Sequence, residues 1–563
     1  MRVPGNAHEC KAERCGARRG MVPKVGVGSP GWLRSLAAMN SRMWFLLSLT
    51  VVSLLPALGS RFLPFHDYPN GVFQGYLLRL ARLEPGLVFQ HYELVRSPVP
   101  YSAWALVSWA FGYIVSSPDM MGKLFFALST ISFVGGTAYL IRSVQGRPTA
   151  LELLPLVGVY DRYVWDGILN YHMALGLLFL SVGYLHRATE AGHHWPRSRA
   201  TLVLSLLGMA TYLSHALGWA PLCLVALVYS YSIFRRHGVL GALRTLAFLL
   251  PSAGLLLWYA SSRTGHISAV LYPSLLIKLY SWFSVFLLFF RIEPFGIQPP
   301  IPFVLNLLAL LAVLVLMLSQ ADRGDSRGRP RFDHVAAASA LACLACAAMI
   351  PFILFANMGP PDARFLQPAL WLGVAAIRYR RRSTGRDAAV VVLIGLVLAV
   401  NATQFVRIAP LLEGIFQTTD RVVPAGASVY SISLRSAPTS VADAVGSGSL
   451  ARYTVGMPIL DYFDLYRFMS REQIHAGLGM FGVGLLREKA PLARPQLMLD
   501  VLPPLDTQPM RDMAARRVEG YDFIQVLGIP KDVQLVASWF APAYVQIVEE
   551  PNLIVLSRWT AAP

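Results

Sequence analysis

The stretch YSAWALVSWAFGYIVSS, residues 101–117, determines the membrane topology that the sequence predicts. It is apolar and long enough to be counted as a membrane-spanning helix, and that count determines on which side every later loop lies. If it crosses the bilayer, the basic loops that follow face outward, although Lys and Arg collect in cytoplasmic loops. We therefore predict that it lies in the outer interface as a juxtamembrane helix, with Tyr101, Trp104 and Trp109 at the headgroups. The basic loops that this arrangement turns inward are 142–147, 187–199, 235–244, 323–331 and 378–382.

The composition is that of an integral membrane protein. Of the 563 residues, 55% are hydrophobic and 14% are charged, whereas soluble domains carry about a quarter charged residues. A formal net charge of +18 would suggest nucleic acid as the partner of a soluble chain. Here most of the excess positive charge lies in short loops and in the first 42 residues. In those places it orients the membrane spans and attracts anionic lipid headgroups. Nucleic acid is therefore not expected as a partner.

The predicted fold class is an all-α polytopic membrane protein with about 11 transmembrane helices, followed by a C-terminal α/β periplasmic domain. Residues 1–42 are basic and rich in Gly and Pro, which is typical of a disordered cytoplasmic leader. Residues 43–405 form the transmembrane domain, whose outer loop 61–119 contains juxtamembrane helices. In the later outer loop 261–300, the apolar piece 274–290 is predicted to lie on the surface or to re-enter. The predicted spans are 43–60, 120–141, 150–161, 167–186, 200–216, 217–234, 241–260, 301–319, 335–356, 364–378 and 388–405.

Residues 406–563 are predicted to form a soluble α/β domain outside the membrane, because hydrophobicity falls and strand-like runs alternate with helical patterns. Runs at 544–548 and 553–557 flank Glu549-Glu550-Pro551-Asn552, which is a hairpin signal. The other predicted strands are 428–433 and 523–527, and the predicted helices are 462–476, 508–517 and 532–539.

The first outer loop places His66 and Asp67 side by side, shortly after the first predicted span. An Asp at the rim of an apolar cavity is suited to act as a general base toward a hydroxyl group. His66 could orient it, assist it or help to bind a divalent metal ion. The alternative is that Asp67 caps a helix that starts near Pro69. No metal-ligand motif is strong enough to predict a cofactor, and a divalent ion is left open.

The second outer turn, residues 160–167, holds Asp161, Arg162 and Asp166 between apolar spans, where charges need partners or water. One interpretation is that these residues and the following polar cluster, Asn170, Tyr171 and His172, line a cavity that suits a sugar. The other is that Asp161 pairs with Arg162 at the interface and Asp166 caps the next span. His215, at the outer end of another span, is likewise either structural or part of the site.

The third outer turn, residues 357–365, ends with Arg364 at the start of a short span. A guanidinium at the membrane surface suits the phosphate of a lipid-linked substrate, because it binds phosphate oxygens bidentately and stays charged. The alternative is a snorkelling arginine that pairs with Asp362. The sequence has no glycine-rich loop for nucleotide phosphates, so a polyprenyl-phosphate carrier is expected rather than a nucleotide-sugar donor.

These outer segments, in this order and on one predicted side, resemble the GT-C superfamily of polytopic glycosyltransferases, which includes protein mannosyltransferases and the aminoarabinose transferases of lipid A. The matching stretches are His66–Asn70, Asp166–Leu178, Leu213–Trp219 and Asp362–Leu370.

The resemblance implies that Asp67 deprotonates the acceptor hydroxyl, that the sugar is transferred with inversion, and that Arg364 stabilises the departing phosphate. The second acidic residue of the family's first loop corresponds to Glu84 or Glu93. Family members often carry a His directly after the Asp-Tyr-Pro-Asn segment and an Arg three residues later. This chain has Gly71 and Gln74 at those positions.

The sequence therefore predicts a multi-pass glycosyltransferase of the cell inner membrane, with a cytoplasmic N-terminus. Its expected partners are a polyprenyl-phosphate-linked sugar, membrane lipids and an acceptor glycan, lipid or protein. One alternative is a transporter or flippase of a lipid-linked or acidic solute, although the charges lie at span ends and no internal repeat is visible. Another is an inactive GT-C-like scaffold in envelope assembly. The predicted catalytic residues are Asp67 and His66, and the predicted substrate-binding residues are Arg364, Asp161, Asp166, Asn170, His215 and Glu84.

Overall fold

The computed structural model describes residues 41–65, 67–115, 117–262, 275–285, 332–350, 363–379, 384–424, 427–435, 486–488, 496–500, 507–528, 530–541 and 543–559, and the single residues 306, 308, 311, 315 and 321. Over these residues the protein is mostly helical, with a small sheet near the C-terminus. Its helices are α1 (Ser41–Gly59), α2 (Tyr68–Leu83), α3 (Pro85–His91), α4 (Ser102–Phe111), α5 (Pro118–Gln145), α6 (Arg162–Trp165), α7 (Leu169–Ala188), α8 (Ser198–Ser214), α9 (Ala216–Leu246), α10 (Leu250–Ser261), α11 (Leu275–Val285), α12 (His334–Met349), α13 (Leu366–Ala376), α14 (Thr384–Val422), α15 (Gln508–Val518) and α16 (Pro530–Ser538).

Three helical stretches in the described part of the chain have the length and apolar character needed to cross a bilayer. They are Pro118–Gln145, Ala216–Ser261 and Asp387–Val422. The second contains a break at Gly238, whose φ of 67° and ψ of −167° interrupt the helix between the two predicted spans. The total of eleven crossings stays a prediction.

The stretch that decides the topology forms only a short helix. α4 has 10 residues and is therefore about 15 Å long, half the roughly 30 Å core of a bilayer. This length fits the predicted interfacial position. Two predicted spans are also short. Residues 150–161 form a 3₁₀ helix, Ala150–Gly158, that contains Pro155, and 364–378 contains the 11-residue α13.

Helices α5 and α7 cross in close contact at two glycines. A Cβ at Gly136 would overlap the carbonyl group of Gly176, and a Cβ at Gly176 would overlap the backbone of Ser132. Such close contact between backbones needs small residues at both positions.

The C-terminal region contains a five-stranded sheet in the order β4-β2-β5-β7-β6. The strands β4, β2 and β5 are parallel, whereas β7 and β6 form an antiparallel hairpin. All four predicted strands are confirmed, and so are the predicted helices at 508–517 and 532–539, whereas 462–476 lies outside the described residues. The strands of this sheet are β2 (Val429–Arg435), β4 (Gln496–Asp500), β5 (Phe523–Leu527), β6 (Tyr544–Glu550) and β7 (Leu553–Arg558).

A second, two-stranded sheet joins the first outer loop to the C-terminal region. β1 (Tyr92–Leu94) pairs antiparallel with β3 (Leu486–Glu488). Hydrogen-bonded strands must lie on one side of a bilayer, so β1 and β3 share a side, and which side that is stays a prediction.

The predicted boundary at residue 405 falls inside a helix. α14 continues from Thr384 to Val422, although hydrophobicity falls after residue 405. Residues beyond the predicted boundary contact the start of the first outer loop: Glu413 pairs with Arg61 at 2.5 Å, and Phe416 packs against Phe62 with ring centroids 5.0 Å apart. The loss of apolar character therefore marks a change of surroundings and not the end of the helix.

Candidate functional site

The first and second outer turns dock through their backbones. The N–H of Asp67 donates to the carbonyl of Asp166 at 3.0 Å. The adjacent Gly167 has a φ of +75°, and a Cβ there would lie 2.6 Å from the Asp67 nitrogen and 2.5 Å from the Tyr68 nitrogen. Only glycine suits both the backbone angle and the close approach. The structure thus brings Asp67 and Asp166, predicted separately, to adjoining positions.

Asp67 occupies the N-cap position of α2, as one of the two interpretations expected. Its side chain makes no capping hydrogen bond to the helix, and it is partly exposed. The helix begins with Tyr68 and Pro69, and Pro needs no partner for a backbone donor. Capping therefore does not account for this carboxylate. Its predicted neighbour His66 lies outside the described residues.

The two other aspartates of the second turn have different partners from those expected. Asp161 is buried, and its carboxylate accepts from the backbone N–H of Val164 at 3.0 Å and from Nε2 of Gln367 at 2.6 Å. Arg162 pairs with Asp166 at 3.3 Å. Residues four apart on a helical turn lie on one face, whereas adjacent residues do not. Asp161 is thus the N-cap of α6, and Asp166 ends that helix and does not cap α7.

Asn170 connects α7 to the juxtamembrane helix α4. Its Oδ1 accepts from the backbone N–H of Trp104 at 3.1 Å, and its Nδ2 donates to the carbonyl of Tyr101 at 3.3 Å. Tyr101 has a φ of 90°, a left-handed conformation that non-glycine residues seldom adopt. The amide of Asn170 therefore holds a strained turn at the start of α4.

Arg364 carries a buried guanidinium group. It lies in a 3₁₀ turn before α13 and is only 6% exposed. Its Nη1 is 2.7 Å from Nε2 of His215, and the guanidinium lies 5.4 Å from the ring centroid of Tyr171. Within the described ranges no carboxylate forms an ion pair with it, and its Nε has no hydrogen-bond partner. Asp362, the alternative partner considered from the sequence, is outside those ranges.

His215 is fully buried and serves as the N-cap of α9, where its Nδ1 accepts from the backbone N–H of Leu217 at 3.0 Å. Its ring makes edge contacts with Tyr101 and Tyr171. Nδ1 of His215 thus makes a structural contact with the helix, and Nε2 faces Arg364, the candidate phosphate ligand.

Glu84 lies apart from the other predicted residues. It is exposed at the far end of α2, next to the start of α3. α2 has 16 residues and is about 24 Å long, so Glu84 is a helix length from Asp67. Glu93 lies in β1, opposite Arg487 of β3.

Two contacts near the predicted residues were not found by sequence reasoning. Gln367 holds Asp161, and the hydroxyl of Tyr171 donates to the backbone carbonyl of Arg364. Both residues are polar side chains within apolar helices, and this pattern is the sequence signal that could have pointed to the two contacts. Asn70 belongs to the stretch His66–Asn70 that carries the resemblance. The sequence does not indicate that its side chain is buried, with an exposed fraction of 1%.

No group of three or more His, Cys, Asp and Glu side chains that could hold a metal ion occurs among the residues that the structure describes. Because His66 lies outside them, a divalent ion beside Asp67 stays a sequence-based expectation.

No family model matches the sequence, and no curated protein matches it. Among solved structures, the chain is similar to the arabinofuranosyltransferase AftD from mycobacteria, with 12% sequence identity and a TM-score of 0.44. The match covers 92% of this chain and 40% of that protein, so this chain spans less than half its length. A likeness this distant assigns no residue of the site.

Proposed function

We propose that this protein is an integral membrane glycosyltransferase that moves a sugar from a polyprenyl-phosphate donor to an acceptor hydroxyl on the outer face of the membrane. The observation that carries the proposal is the buried guanidinium of Arg364, which lacks a carboxylate partner among the described residues. A buried charge is costly unless an opposite charge compensates for it. The phosphate of a lipid-linked donor is such a charge.

The proposed reaction uses the two charged groups in different steps of one displacement. Asp67 accepts the proton of the acceptor hydroxyl as its oxygen forms a bond to the anomeric carbon. The bond from that carbon to the phosphate oxygen breaks, the configuration inverts, and polyprenyl phosphate leaves. Arg364 stabilises the negative charge that accumulates on the departing phosphate. The partly exposed, non-capping side chain of Asp67 supports its assignment as the base.

The first test is Asp67→Asn in purified protein reconstituted with a polyprenyl-phosphate sugar and a soluble acceptor. We expect transfer to fall by about 10²–10⁴-fold, the usual contribution of a general base. The variant should still fold, because asparagine has nearly the same shape as aspartate, and its unfolding temperature is measured as the check. The matched control is Asp512→Asn, another carboxylate-to-amide change, on the exposed face of α15. Full activity of the Asp67 variant would remove the proposed base. If the intact donor lipid moves across the vesicle membrane and no sugar is transferred, a flippase is favoured instead.

The second test compares Arg364→Lys with Arg364→Gln. Lysine keeps a charge but loses the planar pair of donors, so we expect a partial loss of transfer for Lys and a larger but still measurable loss for Gln. Measured KM for the lipid donor should rise in both. Equal, wild-type KM values for the two variants would show that Arg364 does not bind the donor.

A further inference from the structure

The imidazole of His215 faces two hydrogen-bond donors at once. The backbone N–H of Leu217 points at Nδ1 from 3.0 Å, and Nη1 of Arg364 lies 2.7 Å from Nε2. A backbone amide nitrogen and a guanidinium can only donate. A neutral imidazole has one acceptor nitrogen and one N–H, so it can accept from only one of these two groups.

The contact with Leu217 is the one that the fold holds in place. It satisfies a first-turn N–H of α9 that has no partner within the helix. The ring cannot turn away, because it is fully buried and its centroid lies 4.2 Å from that of the Tyr101 ring and 5.1 Å from that of the Tyr171 ring. Nδ1 is therefore the acceptor, and the proton belongs on Nε2, where it points toward the guanidinium of Arg364.

We propose that the Nε2–H of His215 and the guanidinium of Arg364 together bind one anionic phosphate oxygen. An oxygen placed between them accepts from both groups and relieves the contact between two donors. A second, independent observation is the Nε of Arg364, a donor without a partner on a side chain that is 6% exposed. This two-donor site rests on the proposed function, because that function supplies a lipid phosphate. Free phosphate has the same chemistry, and the experiment separates the two.

Two substitutions at His215 separate its two nitrogens. Asn places an acceptor close to the position of Nδ1, so His215→Asn keeps a helix cap and loses the Nε2–H donor. Gln reaches the position of Nε2 with an N–H, so His215→Gln keeps a donor toward the phosphate and loses the cap. Binding of a short-chain polyprenyl monophosphate to the full chain in detergent is measured by calorimetry, with the corresponding polyprenol as the phosphate-free reference. Inorganic phosphate is titrated in parallel.

We expect His215→Asn to bind polyprenyl phosphate about tenfold or more weakly, the usual effect of losing a hydrogen bond to a charged group. His215→Gln should keep most of the affinity and unfold at a lower temperature. Ser117→Ala is the control, because it removes a side-chain cap from α5, where Ser117 accepts from Met120, and should leave binding unchanged.

Wild-type affinity in His215→Asn, or loss of affinity in His215→Gln alone, would overturn the two-donor site and reduce His215 to a cap. Equal binding of polyprenol would overturn it as well. Inorganic phosphate binding that depends on His215 in the same way would support the site and assign it to free phosphate. The assay needs no sugar transfer. A protein that binds polyprenyl phosphate in the expected manner and transfers no sugar would therefore refute the proposed function and leave the site standing.

Discussion

Asn70 lies one helical turn after Asp67, and its amide is buried with no hydrogen-bond partner among the described residues. The side chain is 1% exposed, and neither its oxygen nor its nitrogen has a hydrogen-bond partner in the part of the chain that the structure describes. Burying an amide in this state costs about 1–3 kcal/mol. Residues three apart on a helix lie on one face, so this amide is on the side of α2 that carries Asp67.

We expect Asn70→Leu to keep or raise the unfolding temperature, because a buried amide without partners is replaced by an apolar group of similar size. Transfer activity should fall by about tenfold if the amide binds a sugar hydroxyl. The control is Gln145→Leu, which removes a buried amide that does donate, to the carbonyls of Ala375 and Ile377. That variant should unfold at a lower temperature. An equal loss of stability in both variants would show that Asn70 has a structural partner.

At the scale of elements, the docking of the second outer turn against α2 depends on Gly167. Gly167→Ala introduces a left-handed alanine, which costs about 1–2 kcal/mol, and a Cβ that overlaps the backbone of Asp67 and Tyr68. We expect both the unfolding temperature and transfer to fall. Gly146 has a similar φ of +69° with no atom near its Cβ position. Gly146→Ala should therefore lower the unfolding temperature and leave transfer unchanged. Equal activity of the two variants would argue against the docked turn as part of the site.

The C-terminal sheet has a pH-sensitive contact of its own. The carboxylate of Asp522 accepts from the backbone N–H of Ser428 at 2.8 Å and from its hydroxyl at 2.7 Å, and these bonds lower the pKa of Asp522. A lowered pKa in the folded state adds stability above the unfolded pKa, near 3.9, and that stability is lost as pH falls through the folded value. Below about pH 5, we expect the unfolding temperature of Asp522→Asn to fall less steeply with pH than that of the wild type. An unchanged pH profile in this variant would show that the contact does not contribute.

Local pattern predicted elements better than it predicted contacts. The hairpin of β6 and β7 was found because alternating residues flank a turn signal, and both are confirmed nearly to the residue. The length of α14 was missed because hydrophobicity reports surroundings, whereas a helix continues until a residue ends it. In the site, polar residues at span ends could be singled out, but not their partners. His215 and Arg364 are 149 residues apart, and no local signal joins them.

At the scale of the whole molecule, the pairing of β1 with β3 predicts which parts of the chain share a compartment. Glu93 lies opposite Arg487 in this antiparallel pair, and opposite residues in such a pair have Cα atoms about 4.5–5.5 Å apart, within the range of a disulfide. In a background without the five native cysteines, Glu93→Cys combined with Arg487→Cys should form a cross-link under mild oxidation. Glu93→Cys alone is the control, because a single cysteine cannot form the intramolecular cross-link.

Two variants with one cysteine each, Glu93→Cys and Arg487→Cys, test the side of the membrane. A thiol reagent that cannot cross the bilayer should label both from one and the same compartment. Labelling from opposite compartments would contradict the strand pairing and, with it, the predicted interfacial position of residues 101–117. Labelling of both from the cytoplasmic side would keep the pairing and invert the topology. In that case the phosphate-binding groups would face the cytoplasm, and a donor presented on the outer face could not reach Arg364.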